Sequence, residues 1–111
     1  MAVGNQNIQP RVITASLMGG ASVDLAVLTQ PATGVRVENT TGTSPIYFTV
    51  DHPGGPCPVP TVDGINCYCV ASVAGDYVNV SHDGQYGLVV QLISSGTPQY
   101  TISTIGRTTN A

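Results

Sequence analysis

The feature that most constrains the fold of this chain is an alternation of apolar and polar residues that recurs along most of its length. No stretch shows a sustained helical period, so the alternation predicts β-strands. Six runs carry it between residues 35 and 103, and they are VRVEN, PIYFTVD, INCYCV, DYVNVS, YGLVVQLIS and PQYTIST. Turn-forming segments such as HPGGP, VAGD, HDGQ and SSGTP separate them. The pattern predicts an all-β protein, a small antiparallel β-sandwich of immunoglobulin-like or jelly-roll type.

The same alternation predicts which side chains face the core, because successive residues of a strand point to opposite faces of its sheet. The predicted core consists of large apolar residues at alternate positions: Ile46, Phe48, Val50, Leu88, Val90, Leu92 and Ile102. In INCYCV the rule places Cys67 and Cys69 on the buried face with Ile65. The segment TTGT, between the first two runs, contains a glycine and predicts a hairpin turn.

Residues 1–33 differ from the sandwich domain, which is predicted over residues 34–111. The segment SVDLAVL can add one strand, and its larger apolar residues share one face: Val23, Leu25 and Val27. Residues 1–10 have too little apolar content to pack, so they are predicted to form an extended N-terminal arm. Such a segment either becomes ordered on a neighbouring molecule or frays.

Charged residues are scarce in this chain, at 8% of its 111 residues, against about 25% in ordinary soluble domains. There is no lysine, and three arginines with a net charge of −3 cannot neutralise the phosphates that drive nucleic-acid binding. The shortage of basic residues also argues against binding to an anionic membrane surface. No apolar run approaches the ~20 residues that span a bilayer. A surface of Ser, Thr, Asn, Gln and Gly can pack against neighbours without desolvating many charges. The composition therefore favours a protein that functions within an assembly.

The three cysteines, Cys57, Cys67 and Cys69, are predicted to be free thiols. The N-terminus lacks a basic start followed by an apolar stretch, so we expect the chain to be made and folded in a reducing cytoplasm. A structural zinc site uses four ligands, usually with a C-x₂-C turn, which C-x-C in a strand does not supply. No metal or cofactor is therefore predicted. A disulfide from Cys57 to either Cys67 or Cys69 is the alternative that stays open.

Both histidines are predicted to lie in turns, each beside an aspartate: His52 follows Asp51, and His82 precedes Asp83. A catalytic base needs a nucleophile and an orienting partner close in space. The chain contains no G-x-S-x-G, no H-E-x-x-H and no glycine-rich phosphate loop. The sequence therefore predicts no catalytic residues and no enzymatic activity.

Two stretches of the chain resemble a known family. VRVENTTGTSPIYFTVD at residues 35–51 and VVQLISSGTPQYTIS at residues 89–103 are similar to segments of the small β-sandwich virion proteins of tailed bacteriophages of actinobacteria. PTVDGINCYCV and AGDYVNV are weaker links, and together these parts cover about two thirds of the chain. The HPGGPCP insertion, the cysteines and residues 1–33 depart from the family pattern.

The resemblance implies a structural role as a capsid decoration, or cement, protein that braces the outside of a phage head shell. The expected partners are the major capsid protein and further copies of the chain, as a homotrimer. The expected location is the head surface of the virion, after synthesis in the cytoplasm of the host bacterium. In such a role the candidate shell contacts are uncharged residues of the arm: Asn5, Gln6, Asn7, Ile8 and Gln9.

Two alternatives stay open beside the decoration protein. One is a tail or head–tail connector component, in which a small β-domain forms rings. The other is a carbohydrate-binding module, which presents aromatic side chains on one face, and Tyr47, Tyr68 and Tyr77 are all predicted to point outward. Tyrosine is also enriched at protein interfaces, so the same three residues are candidate subunit contacts.

Overall fold

The computed structural model of the protein describes residues 12–19 and 22–106, and this part of the chain forms β-strands and no helices. The eight strands are β1 (Val12–Ser16), β2 (Asp24–Leu28), β3 (Ala32–Asn39), β4 (Ile46–Asp51), β5 (Tyr68–Val70), β6 (Asp76–Gly84), β7 (Leu88–Ile93) and β8 (Gln99–Ile105). The six strands predicted between residues 35 and 103 correspond to β3 through β8. The all-β prediction is therefore confirmed.

The strands pair as an antiparallel ribbon that is rolled into two sheets. β4 pairs with β5, β3 with β6, β2 with β7 and β1 with β8, and each pair is antiparallel. Sheet 1 has the order β1-β8-β3-β6, and sheet 2 has the order β2-β7-β4-β5. This nesting of strand pairs is that of an eight-stranded jelly roll. Of the two sandwich types that the sequence allows, the structure has the jelly roll.

The core lies between the two sheets and consists of the residues that the alternation predicts. Six of the seven predicted core residues are completely buried: Ile46, Phe48, Leu88, Val90, Leu92 and Ile102. The seventh, Val50, is half-buried and packs against this cluster. Phe48 is the only phenylalanine of the chain and has the largest of the fully buried side chains. It is therefore the largest single apolar contribution to the core.

Tyr100 and Asp24 connect the two sheets across the core. The hydroxyl of Tyr100, on β8 of sheet 1, donates a hydrogen bond of 2.9 Å to Oδ2 of Asp24, on β2 of sheet 2. Burial and then the neighbouring carboxylate raise the pKa of Tyr100 far above its ordinary value, so the hydroxyl stays protonated and remains a donor. This contact attaches β2 to the core together with the buried side chains of Ala26 and Leu28.

The hairpin predicted at TTGT is wrong, because β3 and β4 belong to different sheets. The buried Asn39 at the end of β3 organises this crossing. Its Nδ2 donates to the carbonyl oxygens of Ser44 at 2.7 Å and Ala71 at 3.0 Å, and its Oδ1 accepts the N–H of Gly42 at 2.9 Å. Alternation sorts the side chains of a strand onto two faces but does not identify the strand that pairs with it. A glycine-containing segment therefore fits a crossing between sheets as well as it fits a hairpin.

The first third of the chain contributes two strands to the sandwich. The strand predicted in SVDLAVL is β2, whereas the sequence predicts no counterpart of β1. β1 pairs with β8 and β2 pairs with β7, so each lies at the edge of its sheet. The arm predicted over residues 1–10 lies outside the described residues.

Candidate functional site

The longest loop of the described chain, residues 52–67, folds over the outer face of sheet 2. Thr49 on β4 is buried beneath it, and its hydroxyl donates a hydrogen bond of 2.6 Å to the carbonyl oxygen of Pro58. Gly64 lies so close to Tyr47 that an added Cβ would be 3.0 Å from the tyrosine ring. The loop therefore covers the β4 side of this face, and both the tyrosine ring and the left-handed φ of 77° at Gly64 disfavour a side chain at position 64.

A compact turn holds the far part of this loop. The carboxylate of Asp63 accepts hydrogen bonds from the hydroxyl of Thr61 and, at 3.0 Å, from the backbone N–H of Ile65. These two hydrogen bonds hold the pKa of Asp63 below its ordinary value. Asn66 then adopts a left-handed φ of 60°, a conformation that asparagine tolerates. The thiol of Cys67 completes the turn by donating to the Ile65 carbonyl at 3.3 Å.

The prediction that Cys67 and Cys69 face the core is wrong. Residues 65–67 belong to the turn just described, so the alternation of a strand does not apply to them. In the three-residue β5, Val70 takes the buried position, and Cys69 therefore points outward opposite Tyr47.

The three cysteines are free thiols, as the sequence predicts. The sulfur of Cys57 lies 3.4 Å from the hydroxyl of Thr49, and the sulfur of Cys67 accepts the backbone N–H of Thr61 at 3.4 Å. The thiol of Cys57 therefore lies where the loop contacts β4, and the thiol of Cys67 forms its contacts within the loop. In residues 12–19 and 22–106, no group of three or more His, Cys, Asp or Glu side chains is arranged to hold a metal ion.

The prediction that His82 lies in a turn is also wrong, because β6 continues to Gly84. Between Ser81 and Gly84, β6 carries one residue more than the facing part of β3. Such a β-bulge changes the direction of the side chains around it. In this case, His82 comes close to Asp51 at the end of β4, so the bulge brings together groups from both sheets.

A polar cluster at this bulge consists of Asp51, His52 and His82. Oδ1 of Asp51 accepts the backbone N–H of His52 at 2.7 Å, and Nδ1 of His52 and Nε2 of His82 lie 2.8 Å and 3.8 Å from the same oxygen. Nδ1 of His82 lies 3.1 Å from the carbonyl oxygen of Asp83, which can only accept, so Nδ1–H is the donor in this contact.

A cleft of about 260 Å³ lies beside the cluster and is lined by His52, Pro53, His82, Asp83, Gln85 and Tyr86. The lining combines acid–base groups with an exposed aromatic ring. It includes no serine, threonine or cysteine, which are the hydroxyl and thiol nucleophiles that an adjacent base activates. The cleft therefore lacks the nucleophile–base pair of an acyl-transfer site.

The three tyrosines singled out by the sequence lie on separate surfaces. Tyr47 is half-buried on the outer face of sheet 2. Tyr68 lies against the buried Phe48, with ring centroids 5.3 Å apart. Tyr77 is on β6 of sheet 1, where the guanidinium of Arg36 lies 4.2 Å from the centroid of its ring. The structure therefore does not combine the three rings into one platform.

A cluster of exposed apolar side chains lies along β2 and at the residue just before it, and within residues 12–19 and 22–106 β2 is an edge strand of sheet 2. Val23, Leu25 and Val27 are 39%, 62% and 46% exposed, and we call these three residues the β2 strip. Val89 on the adjacent β7 lies opposite Val27 and is partly exposed. The strip is therefore an apolar surface beside the unpaired side of an edge strand.

Comparisons with protein-family models, with curated proteins and with solved structures found no match to this chain. The described residues include no helix long and apolar enough to cross a membrane. The function proposed below accordingly depends on the fold, on the β2 strip and on the sequence resemblance.

Proposed function

We propose that this protein is a structural virion protein, a capsid decoration (cement) protein bound to the outside of a tailed-phage head. Its partners are the major capsid protein and further copies of itself, and the sequence resemblance implies a trimer. The role requires a rigid binding domain and no catalytic site.

The observation that carries the proposal is the β2 strip. Two apolar side chains of β2, Leu25 and Val27, and that of Val23 just before the strand are exposed at the edge of sheet 2. Exposed apolar patches and unprotected strand edges mark surfaces that a partner covers. In a chain with only 8% charged residues, such a surface is buried with few charges desolvated.

The jelly roll is compatible with this role. Jelly rolls occur in viral capsid proteins and in lectin domains, so the fold alone does not select one function. A cement protein stabilises the assembled shell by RT ln(1 + [L]/Kd) for each site that it occupies. A well-packed sandwich that binds only the assembled shell is sufficient for that effect.

The two alternatives differ in their support. The carbohydrate-binding module has less, because Tyr47, Tyr68 and Tyr77 lie on separate surfaces and two of them contact Phe48 and Arg36 within the chain. A tail or head–tail connector protein would use the β2 strip in the same way. It therefore differs from a decoration protein in its position on the particle rather than in its chemistry.

The test is to add the purified full-length protein to heads assembled from the major capsid protein of the same phage. We expect saturable binding to the head exterior and a head that withstands higher temperature before it disrupts. Cryo-electron microscopy of complete particles then locates the protein. Density confined to the tail or the head–tail joint would favour the connector, and absence of the protein from the particle would contradict both virion roles.

Two truncations test the contribution of the arm. Residues 1–10 and residues 107–111 both lie outside the described chain, so removing either leaves all eight strands intact. We expect removal of residues 1–10 to reduce head occupancy and removal of residues 107–111, the matched control, to leave it unchanged. Full occupancy by both truncated forms would show that the sandwich alone binds the shell.

A further inference from the structure

The edge strands of the jelly roll differ in how they are protected from pairing with another chain. β5, at one edge of sheet 2, is only three residues long. β6, at one edge of sheet 1, carries the bulge between Ser81 and Gly84. β1, at the other edge of sheet 1, exposes the polar side chains of Thr14 and Ser16. Short strands and bulges prevent edge-to-edge pairing, and the polar face of β1 offers a partner little apolar surface to cover.

β2, the remaining edge, has none of these features. It pairs with β7 over five consecutive residues without a register shift. It contains no proline and no lysine, and its one charged residue, Asp24, accepts the hydrogen bond from Tyr100 inside the molecule. Its exposed face is the β2 strip. An edge of this kind is suited to the addition of another strand.

We infer that β2 pairs with β2 of a second copy of the chain, antiparallel and across a two-fold axis at Ala26. In this register Leu25 of each copy lies opposite Val27 of the other, and both side chains are on the outer face. The two-fold symmetry repeats this Leu25–Val27 contact on both sides of the axis, as in other two-fold interfaces. Apolar side chains directly opposite each other stabilise a strand pair. The two four-stranded sheets then join into one continuous sheet.

Charge favours this register over the one that places the two Asp24 residues opposite each other. Asp24 lies opposite Leu28 of the second copy, so the two Asp24 residues are four positions apart along the strands, about 14 Å at ~3.4 Å per residue. That separation exceeds the screening length of about 8 Å at physiological ionic strength. Sliding the strands until the two Asp24 residues are opposite each other would place like charges together, which destabilises a strand pair.

The N-terminal segment of the chain is a poorer match to this edge than a second β2. Within residues 1–11 the residues with large aliphatic β-branched side chains are Val3 and Ile8, five positions apart. In a strand they would point to opposite faces, so they could not cover the β2 strip together. Pro10 also lacks the N–H that a pairing strand donates. A second copy satisfies both the apolar face and the free backbone edge.

The inferred interface is small, which determines its strength. Each copy contributes the β2 strip, Val89 beside it and the backbone of one five-residue strand. Stable specific interfaces bury about 1,200–2,000 Å² in total, and a contact of this extent belongs at or below the lower end of that range. We therefore expect a reversible dimer that forms as protein concentration rises and that a larger assembly strengthens by multivalency.

The first test is light scattering coupled to size-exclusion chromatography on the full-length protein, over ~1 µM to ~1 mM, which spans weak dissociation constants. We expect the mass to rise from 11.4 kDa toward twice that value. Leu25→Lys puts a charge into the strip and should raise the dissociation constant at least about tenfold. Thr14→Lys puts the same charge on the exposed face of β1, and as the matched control it should leave the dissociation constant unchanged.

The second test measures the register in the unmodified protein and so does not depend on any variant folding. In a mixture of isotope-labelled and unlabelled copies, we expect NOEs between the Leu25 methyl groups of one copy and the Val27 methyl groups of the other. The two-fold dimer differs from the trimer that the sequence resemblance implies. A chain that stays monomeric, a trimer of that kind, or equal weakening by Leu25→Lys and Thr14→Lys would overturn the inference. A trimer that binds heads would contradict the β2 pairing but support the decoration role. A dimer that does not bind heads would contradict the decoration role but support the β2 pairing.

Discussion

The two sheets of the jelly roll are alike on their inner faces and different on their outer faces. Inside, both present fully buried aliphatic side chains to one shared core. Outside, sheet 1 is polar: the Thr101 hydroxyl lies 3.2 Å from that of Thr14 and 3.1 Å from that of Thr40, and Nε of Arg36 donates to Oδ1 of Asn79 at 3.1 Å. Sheet 2 instead has a loop packed onto β4 and an apolar strip along β2.

This difference identifies where the described residues expose apolar side chains beside a sheet edge. Water can satisfy the hydroxyl and amide groups of sheet 1, so its outer face needs no partner. The outer face of sheet 2 carries exposed apolar side chains along β2, and residues 52–67 cover its β4 side. In residues 12–19 and 22–106 no segment covers the β2 side in the same way. The β2 strip is therefore where a partner molecule is expected.

The largest effects should come from the inner faces, where the two sheets are expected to behave alike. Phe48→Ala in sheet 2 should destabilise the protein by about 3–5 kcal/mol, and Ile102→Ala in sheet 1 by about 2–5 kcal/mol, because each leaves a cavity in a packed core. Urea denaturation measures both. A loss below about 1 kcal/mol for either variant would mean that its strand does not face the core as described.

The connection between the sheets should give the next largest effect. Asn39→Ala leaves two carbonyl groups and one N–H without their buried partner, each worth about 1–3 kcal/mol, so we expect a loss of about 2–4 kcal/mol after partial relaxation. Asn79→Ala removes an exposed asparagine and should change the free energy of unfolding by less than about 0.5 kcal/mol. Equal losses in the two variants would contradict a structural role for the Asn39 contacts.

The outer faces should respond differently to the same substitution. Thr49→Val keeps the side-chain shape but removes the donor to the Pro58 carbonyl beneath the loop, at an expected cost of about 1–2 kcal/mol. Thr101→Val removes a hydroxyl whose partners water can replace, so its expected effect is below about 0.5 kcal/mol. Thermal unfolding of the two variants measures the difference in stability. A smaller loss for Thr49→Val than for Thr101→Val would show that the loop does not protect Thr49 on sheet 2 from water.

The smallest effect concerns pH and is confined to the loop on sheet 2. Because the pKa of Asp63 is lowered in the folded chain, its hydrogen bonds stabilise the turn above the ordinary aspartate pKa and are lost as pH falls through the lowered value. We expect the amide NMR signal of Ile65 to shift as the pH is lowered, while the amide signals of sheet 1 stay constant over the same pH range. In Asp63→Asn the shift should disappear, and its persistence would assign it to another group.

The sequence predicts the core well because strand alternation and burial are properties of single strands. Val35, Phe48 and Leu92 are buried where that pattern puts them. Strand partners depend on contacts distant in sequence, so neither the crossing at Asn39 nor the strand β1 could be predicted in the same way.

The candidate surfaces were harder to predict for a related reason. In SVDLAVL both faces are apolar, with Val23, Leu25 and Val27 on one and Ala26 and Leu28 on the other. Alternation groups these residues correctly but does not decide which group is buried, and here the larger group is exposed. The bulge near His82 and Asp51 depends on the pairing of β6 with β3, and no local sequence pattern predicts that pairing.

The most direct test of the difference between the two outer faces is hydrogen exchange of the backbone amides of β1 and β2 in the full-length protein. Both are five-residue edge strands, so without a partner they should exchange at rates that do not depend on protein concentration. We predict that exchange in β2 slows several-fold as concentration rises, while exchange in β1 stays the same. Slowing in neither strand, or equal slowing in both, would contradict the proposal that a partner covers the β2 strip.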